Sequence, residues 1–141
     1  MSKEFYTVAV SGGFDPVHVG HLRMLKKAKE YGDTLVVILN NDKWLERKKG
    51  KAFMNQQDRA EILRGFSCVD CVYIQQDDSD TVCEMLKSVY PGAFINGGDR
   101  ESADDVPEAK LCQELGIKMI FGVGGKKVRS SSVLLSKFKN K

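Results

Sequence analysis

Ser11-Gly12-Gly13-Phe14-Asp15-Pro16-Val17-His18-Val19-Gly20-His21-Leu22 brings three glycines, a proline and both of the chain's histidines together within residues 11–22. The stretch follows Thr7-Val8-Ala9-Val10, a short apolar run that reads as a strand. It precedes Val19 to Tyr31, where Leu22, Leu25, Ala28 and Lys29 recur at helical spacing and Gly32 ends the pattern. The residues between are therefore read as a turn from a strand into a helix. Gly12 and Gly13 let the backbone approach a ligand closely, and Pro16 fixes the entry to the helix. A helix N-terminus offers unpaired N–H groups and partial positive charge, which suit phosphate. His18 and His21, three apart, share one face of the first turn and can donate to one phosphoryl group. Taken singly, either histidine reads equally well as a cap or a core filler. The glycine spacing matches neither GxGxxG nor GxxxxGK[ST].

Outward from this turn, strand and helix alternate. Thr34 to Leu39 is a continuous β-branched and apolar run, as a strand covered on both faces requires. Asn55 to Phe66 reads as a helix capped by Asn55, with Asp58 in its first turn and Ile62, Leu63 and Phe66 on its apolar face. Val69 to Ile74 is a third strand. Ser79 or Asp80 opens a helix carrying Val82, Cys83, Leu86 and Val89, which Pro91-Gly92 closes. Ala93 to Ile95 is a fourth strand. Asp105 caps a helix with Pro107 in its first turn, running to Leu115 and stopping at Gly116. Ile117 to Phe121 is a fifth strand, Gly122 to Gly125 a glycine-rich loop, and Ser130 to Phe138 a last helix. The expected fold is α/β: a Rossmann-like, doubly wound, five-stranded parallel sheet with helices on both faces, as a single domain. Such sheets bind ligands at the carboxyl ends of their strands. The loops there are Ser11 to His18, Asn40 to Asn55, Asn96 to Asp105 and Gly122 to Arg129.

Composition narrows the function. A chain of 141 residues, 42% apolar and 29% charged, is that of one globular domain. The longest apolar run, Leu35 to Leu39, is too short to span a bilayer, and Met1 to Phe5 holds no signal-peptide core. The sequence reads as an intracellular, cytoplasmic protein without a membrane partner. A net charge of +3 does not mark a nucleic-acid binder. The basic run Arg47-Lys48-Lys49-Gly50-Lys51 has no aromatic platform around it. With Lys126-Lys127-Val128-Arg129 it forms two clusters that read either as solvated lysines or as arms converging on one anion. Cys68 and Cys71 form a C-x-x-C, but no second ligand pair accompanies them. They read as small apolar residues beside a strand, and all four cysteines as free thiols.

Gly13-Phe14-Asp15-Pro16-Val17-His18-Val19-Gly20-His21 resembles the G-x-F-D-x-x-H-x-G-H signature of the cytidylyltransferase-like nucleotidyltransferases. These include glycerol-3-phosphate cytidylyltransferase and the adenylyltransferase domain of ADP-heptose synthase. Lys49-Gly50-Lys51 resembles the family's mobile basic loop, and Gln57-Asp58-Arg59 its helix-opening E-x-R element. Asn96-Gly97-Gly98-Asp99 resembles the K-G-G-D of ADP-heptose synthase-like members, and Arg129-Ser130-Ser131-Ser132 the closing serine-threonine element.

The resemblance implies that residues 1–141 form a nucleotidyltransferase domain. It would transfer a nucleoside monophosphate from CTP or ATP to a phosphorylated sugar or polyol, releasing pyrophosphate. The nucleophile is a phosphate oxygen already ionised at neutral pH, so the obstacle is charge repulsion rather than deprotonation. In this implied scheme His18 and His21 stabilise charge on the α- and β-phosphates, and Lys49 or Lys51 closes over the phosphates. Arg129, Ser130, Ser131 and Ser132 hold the β- and γ-phosphates. Gly13, Phe14, Asp15 and Gly20 line the nucleotide, with Asn96, Gly97, Gly98 and Asp99 at the nucleoside. Arg59 is a nucleotide-binding candidate or a surface partner of Glu61 or Asp58. Trp44 reads as core or as a base-stacking ring. Mg²⁺ would bridge the phosphates, held mostly by the substrate, with Asp15 as a further ligand candidate. The resemblance also implies a homodimer. Rival readings are a pyridine-nucleotide-type adenylyltransferase and a non-catalytic nucleotide-binding module.

Overall fold

The computed structural model describes residues 4–97 and 107–124. Ten elements follow one another: β1 (Phe5–Gly12), α1 (Val19–Lys29), β2 (Gly32–Leu39), α2 (Asp42–Lys49), α3 (Gln56–Arg64), β3 (Cys71–Ile74), α4 (Cys83–Val89), β4 (Ala93–Gly97), α5 (Ala109–Leu115) and β5 (Lys118–Val123). The strands form one parallel sheet in the order β3-β2-β1-β4-β5. The chain winds outward from β1 through β2 to β3, then returns to the other side of β1 for β4 and β5. The winding reverses between β1 and β4, where Val8 pairs with Ala93 and Ala9 with Phe94. A crevice at such a reversal is where open α/β sheets bind ligands.

Alternation along the strands separates two cores. Val8, Val10, Leu35, Val37, Leu39, Ala93 and Ile95 face one layer, where they meet Leu25 and Ala28 of α1 and Ala60 and Leu63 of α3. Ala9, Val36, Ile38 and Phe94 face the other, against Leu86 of α4 and Cys112 of α5. Where both faces are covered β2 must be apolar, and Leu35 to Leu39 is buried without interruption. The four cysteines are free thiols. Cys68 packs on the first layer and Cys71 on the second, so they look away from one another.

Several expected boundaries are corrected. Asn40 to Asn55 is not a continuous loop, because Asp42–Lys49 is helical. Asn41 caps this helix, accepting from Trp44 N at 2.8 Å, and Gly50 closes it at φ +91°. Only Leu45 of its eight residues is buried, so no apolar stripe marked it. Ser79 and Asp80 do not open α4. Gln75 Nε2 donates to the carbonyls of Ser79 and Thr81 at 2.9 and 3.0 Å, and this turns them away from helical partners. Helix α4 starts at Cys83, with Glu108 Oε1 accepting from Val82 N. Gly32 does not stop α1, whose C-cap is Glu30. It opens β2 instead, where a Cβ would lie 2.9 Å from Val8 Cγ1. Pro107 precedes α5 rather than entering its first turn, and Gly116 ends that helix as expected. Asn96 and Gly97 belong to β4, and Gly122 to β5. Asp105, Gly125 and the expected helix at 130–138 lie outside the described residues.

Candidate nucleotide site at the sheet reversal

The turn after β1 is held from three sides. Gly12 O accepts from Asn40 N at 2.9 Å, Gly13 O from Arg59 Nη1 at 2.7 Å, and the Asp15 carboxylate from Phe53 N and Met54 N at 2.6 and 2.7 Å. Gly13 lies so close to α2 that a Cβ would sit 3.0 Å from Leu45 Cδ2. Phe14 is buried and takes φ +50°, and the Asp15–Pro16 peptide is cis.

His18 is the N-cap of α1. Its Nδ1 accepts from Gly20 N at 3.1 Å, and His21 Nδ1 accepts in return from His18 N at 3.2 Å. The pair is thus a capping box written in imidazoles, each ring satisfying one of the helix's unpaired N–H groups. An Nδ1 that accepts puts the ring proton on Nε2. The rings stack at 3.8 Å between centroids and 21° between planes, and His21 meets Phe14 edge to face at 4.7 Å and 64°. Two half-buried Nε2–H donors are thereby set side by side at a helix N-terminus. An arrangement of this kind binds and stabilises an anion and supplies no nucleophile.

Arg59 departs from both expectations. It does not pair with Glu61 or Asp58, and it is fully buried rather than lining a ligand surface. Nε donates to Met54 O at 2.9 Å, Nη1 to Gly13 O and Asn40 O at 2.7 and 2.8 Å, and Nη2 to Asp42 Oδ1 at 2.7 Å. The guanidinium ties together the turn after β1, the turn after β2, the start of α2 and the approach to α3. Asp15 departs similarly. Its carboxylate is 2% exposed with both oxygens on main-chain amides, a poor fit for a divalent cation. Among the described residues no cluster of His, Cys, Asp or Glu could hold a metal ion.

The basic run divides. Arg47 and Lys48 reach Asp80 at 3.3 and 3.4 Å. Lys49 ends α2 and Lys51 follows Gly50, both exposed and with no ion pair among the described residues. Trp44 is half-buried, and its indole Nε1 donates to Asp80 O at 3.0 Å. It borders Gly13 and belongs to the packing of the site wall. Asn96 is buried in β4 beside the reversal, with its amide nitrogen 3.4 Å from both Phe94 O and Ile120 O. Gly97 ends that strand. Gly98, Asp99, Arg129, Ser130, Ser131 and Ser132 lie outside the described residues. Sequence reasoning missed Asp42, Phe53 and Met54 as supports of the site. Asp42, directly after the Asn41 cap, carried the one readable signal, an acid in a first helical turn.

Comparison with known proteins agrees with this geometry. The family model described as cytidylyltransferase-like matches residues 9–129. The bifunctional protein HldE of Streptomyces coelicolor is 40% identical over 116 residues, covering 80% of this chain and 24% of that protein. HldE of Aliarcobacter butzleri is 38% identical over 121 residues, covering 84% and 24%. The chain therefore spans about a quarter of the length of these relatives. Among solved structures, the lipopolysaccharide core biosynthesis protein of Thermoplasma volcanium shares the fold. Its TM-score is 0.69 at 24% identity, covering 89% of this chain and 99% of that one. The bifunctional NMN adenylyltransferase/ADP ribose pyrophosphatase of Francisella tularensis, complexed with AMP and a manganese ion, gives 0.66 at 15%, covering 96% and 42%. With the family match starting midway along β1 and spanning the other four strands, and the paired imidazoles inside it, the chain belongs to the cytidylyltransferase-like family of nucleotidyltransferases.

Proposed function

We propose that residues 1–141 form a catalytic domain that transfers a nucleoside monophosphate from CTP or ATP to a phosphorylated sugar or polyol. An acceptor phosphate oxygen attacks the α-phosphorus. The bond from that phosphorus to the bridging oxygen breaks, and pyrophosphate leaves with the Mg²⁺ that entered on the triphosphate. No proton need be abstracted, because the acceptor is ionised at neutral pH. The chain's work is to bring two anions together and to stabilise the charge that gathers on the phosphoryl oxygens. The observation that carries the reading is the stacked imidazole pair, whose Nε2–H groups would donate to those oxygens. Lys49 and Lys51 would offset the negative charge of the triphosphate tail, with Arg129 and Ser130 to Ser132 at its far end. The backbone from Gly13 to Asp15, with Gly20, would lie along the α-phosphate. Asn96 to Asp99 would meet the nucleoside.

The similarity to HldE and the Asn96-Gly97-Gly98-Asp99 stretch favour a sugar phosphate as acceptor. We further propose a cytoplasmic homodimer as the working form. A pyrophosphate-release screen tests the reading, pairing the four nucleoside triphosphates with phosphorylated sugars, polyols and mononucleotides. Release with a sugar or polyol phosphate is expected. Release only with nicotinate or nicotinamide mononucleotide would replace the acceptor class. Nucleotide binding without release under any pairing would reduce the chain to a binding module. His18→Ala and His21→Ala should each lower turnover by roughly 10²–10³-fold, as loss of one preorganised donor does elsewhere, with folding intact.

A further inference from the structure

We propose that the side chain of Phe14 is a positioning residue for this site: its ring orients His21, and through His21 the stacked His18. The role rests on the reading of the two histidines given above. The expectation for Phe14 concerned its backbone, which would lie along the α-phosphate. A backbone role alone is served best by glycine, because Phe14 adopts φ +50°, a left-handed conformation unfavourable for a bulky residue. An aromatic residue held there has its reason in the ring.

That ring lies 4.7 Å from His21, inclined at 64°, and His21 lies 3.8 Å from His18 at 21°, so the three rings form one continuous column. The foot of the column is fixed. Phe14 is 4% exposed and belongs to the core layer that contains Val10, Leu39 and Ala60. Gly12 leaves it room, since a Cβ at that position would stand 3.1 Å from Phe14 Cε2. The hydrogen bonds at Nδ1 pin each imidazole at one atom. Contact on the ring itself sets its plane, and the plane decides where Nε2–H points. A donor displaced by about 1 Å loses much of its effect on a transition state.

The test uses the whole chain with Phe14→Leu, which keeps apolar volume and removes the ring, and Phe14→Tyr, which keeps the ring. Two readouts are taken: kcat and KM for the nucleoside triphosphate, and the imidazole C–H resonances, which come from only two histidines. Phe14→Leu should lower kcat by about tenfold or more while leaving KM within about threefold. The His21 ring resonances should move as the neighbouring ring current is lost. Phe14→Tyr should restore kcat to within about threefold of wild type. In a His21→Ala background, Phe14→Leu should cost less than about twofold more, because residues acting as a unit are not additive. If Phe14→Leu fails to fold, Phe14→Met carries the same expectations.

Wild-type kcat in the ringless variant, a loss confined to KM, or a full additional loss on top of His21→Ala would each overturn the positioning role. Unmoved resonances with active wild-type protein would overturn it alone. Resonances moved by Phe14→Leu, with a wild-type protein that turns over no nucleotide, would overturn the transferase reading and the positioning role with it.

Discussion

Replacing Arg59 by methionine removes the side chain that ties together the turn after β1, the turn after β2 and the start of α2. The guanidinium is fully buried and makes hydrogen bonds to Met54 O, Gly13 O, Asn40 O and Asp42 Oδ1, between 2.7 and 2.9 Å. Methionine keeps the apolar stem but strands three main-chain carbonyls and a carboxylate. Breaking a buried ion pair by removing one member costs about 3–5 kcal/mol. Hydrogen bonds to a charged group are worth ~1.5–3 kcal/mol each and do not simply add. Asp42 is 31% exposed and can turn to water, so the lower part of that range applies, about 3–4 kcal/mol. This is a large share of the roughly 5–15 kcal/mol that holds a domain folded. It should lower Tm by about 10–20 °C at this chain length. Urea unfolding followed by the fluorescence of Trp44, the chain's one tryptophan, measures it directly. Arg59→Lys keeps the charge but cannot fork toward three carbonyls, and should recover less than about half the loss. An unchanged midpoint for methionine, or complete recovery with lysine, would refute the clamp. A raised KM for nucleotide at unchanged stability would put Arg59 on the ligand side after all.

Lys49→Ala and Lys51→Ala together should raise KM for the triphosphate by about tenfold in low salt and by less at high salt, since exposed charges are screened. Arg47→Ala, whose partner is Asp80, should change KM by less than about twofold, and equal effects from both sets would contradict the division of the basic run. Gly13→Ala should cost about 1–3 kcal/mol of stability through collision with Leu45. Leu45→Ala should then be less harmful in the Gly13→Ala background than alone, and strict additivity would show that the two side chains do not meet. Burial, reinforced by Glu108, pushes the Cys112 thiol up to about 11. The folded state therefore favours the protonated thiol, and its contribution to stability is complete below pH 9 and lost as pH rises through about 11. Iodoacetamide at pH 8.5 should spare Cys112 until the chain is unfolded, and alkylation of it in the native protein would contradict that burial.

What the sequence discloses about this molecule depends on whether a residue's partners lie nearby in the chain or far from it. Strand β2 was legible because burial on both faces leaves an unbroken apolar run, Leu35 to Leu39. The cap of α3 was legible because Asn55 serves Asp58 N, three residues on. His18 and His21 were legible as a pair for the same reason, being three apart on one helical turn. Helix α2 was missed because its stability comes from its ends and from contacts with Asp80 and Arg59, while charged residues surround its single buried leucine.

Arg59 and Asp15 show the limit most clearly. Arg59 was read as a nucleotide contact, from its resemblance to the E-x-R element, or as a surface partner of Glu61 or Asp58, and Asp15 as a nucleotide contact and candidate Mg²⁺ ligand within the signature turn. Arg59 instead reaches main-chain carbonyls as distant as Gly13, and Asp15 reaches the amides of Phe53 and Met54. Main-chain acceptors and donors are the same for every residue type, so such partners leave no mark in a sequence. The consequence for function is mechanical as well as electrostatic. Arg59 pulls the turn after β1 toward α3 through Gly13 O, and Asp15 holds the segment before α3 against the same turn. All three bonds join the same pair of segments, with the donor on the α3 side and the acceptor on the turn after β1 each time, so neither segment can slide without breaking one of them. A turn locked in this way presents its N–H groups and its two imidazoles in one fixed arrangement. In the function proposed above, an anion would bind without the cost of ordering the site, which is the condition under which buried donors stabilise a transition state best.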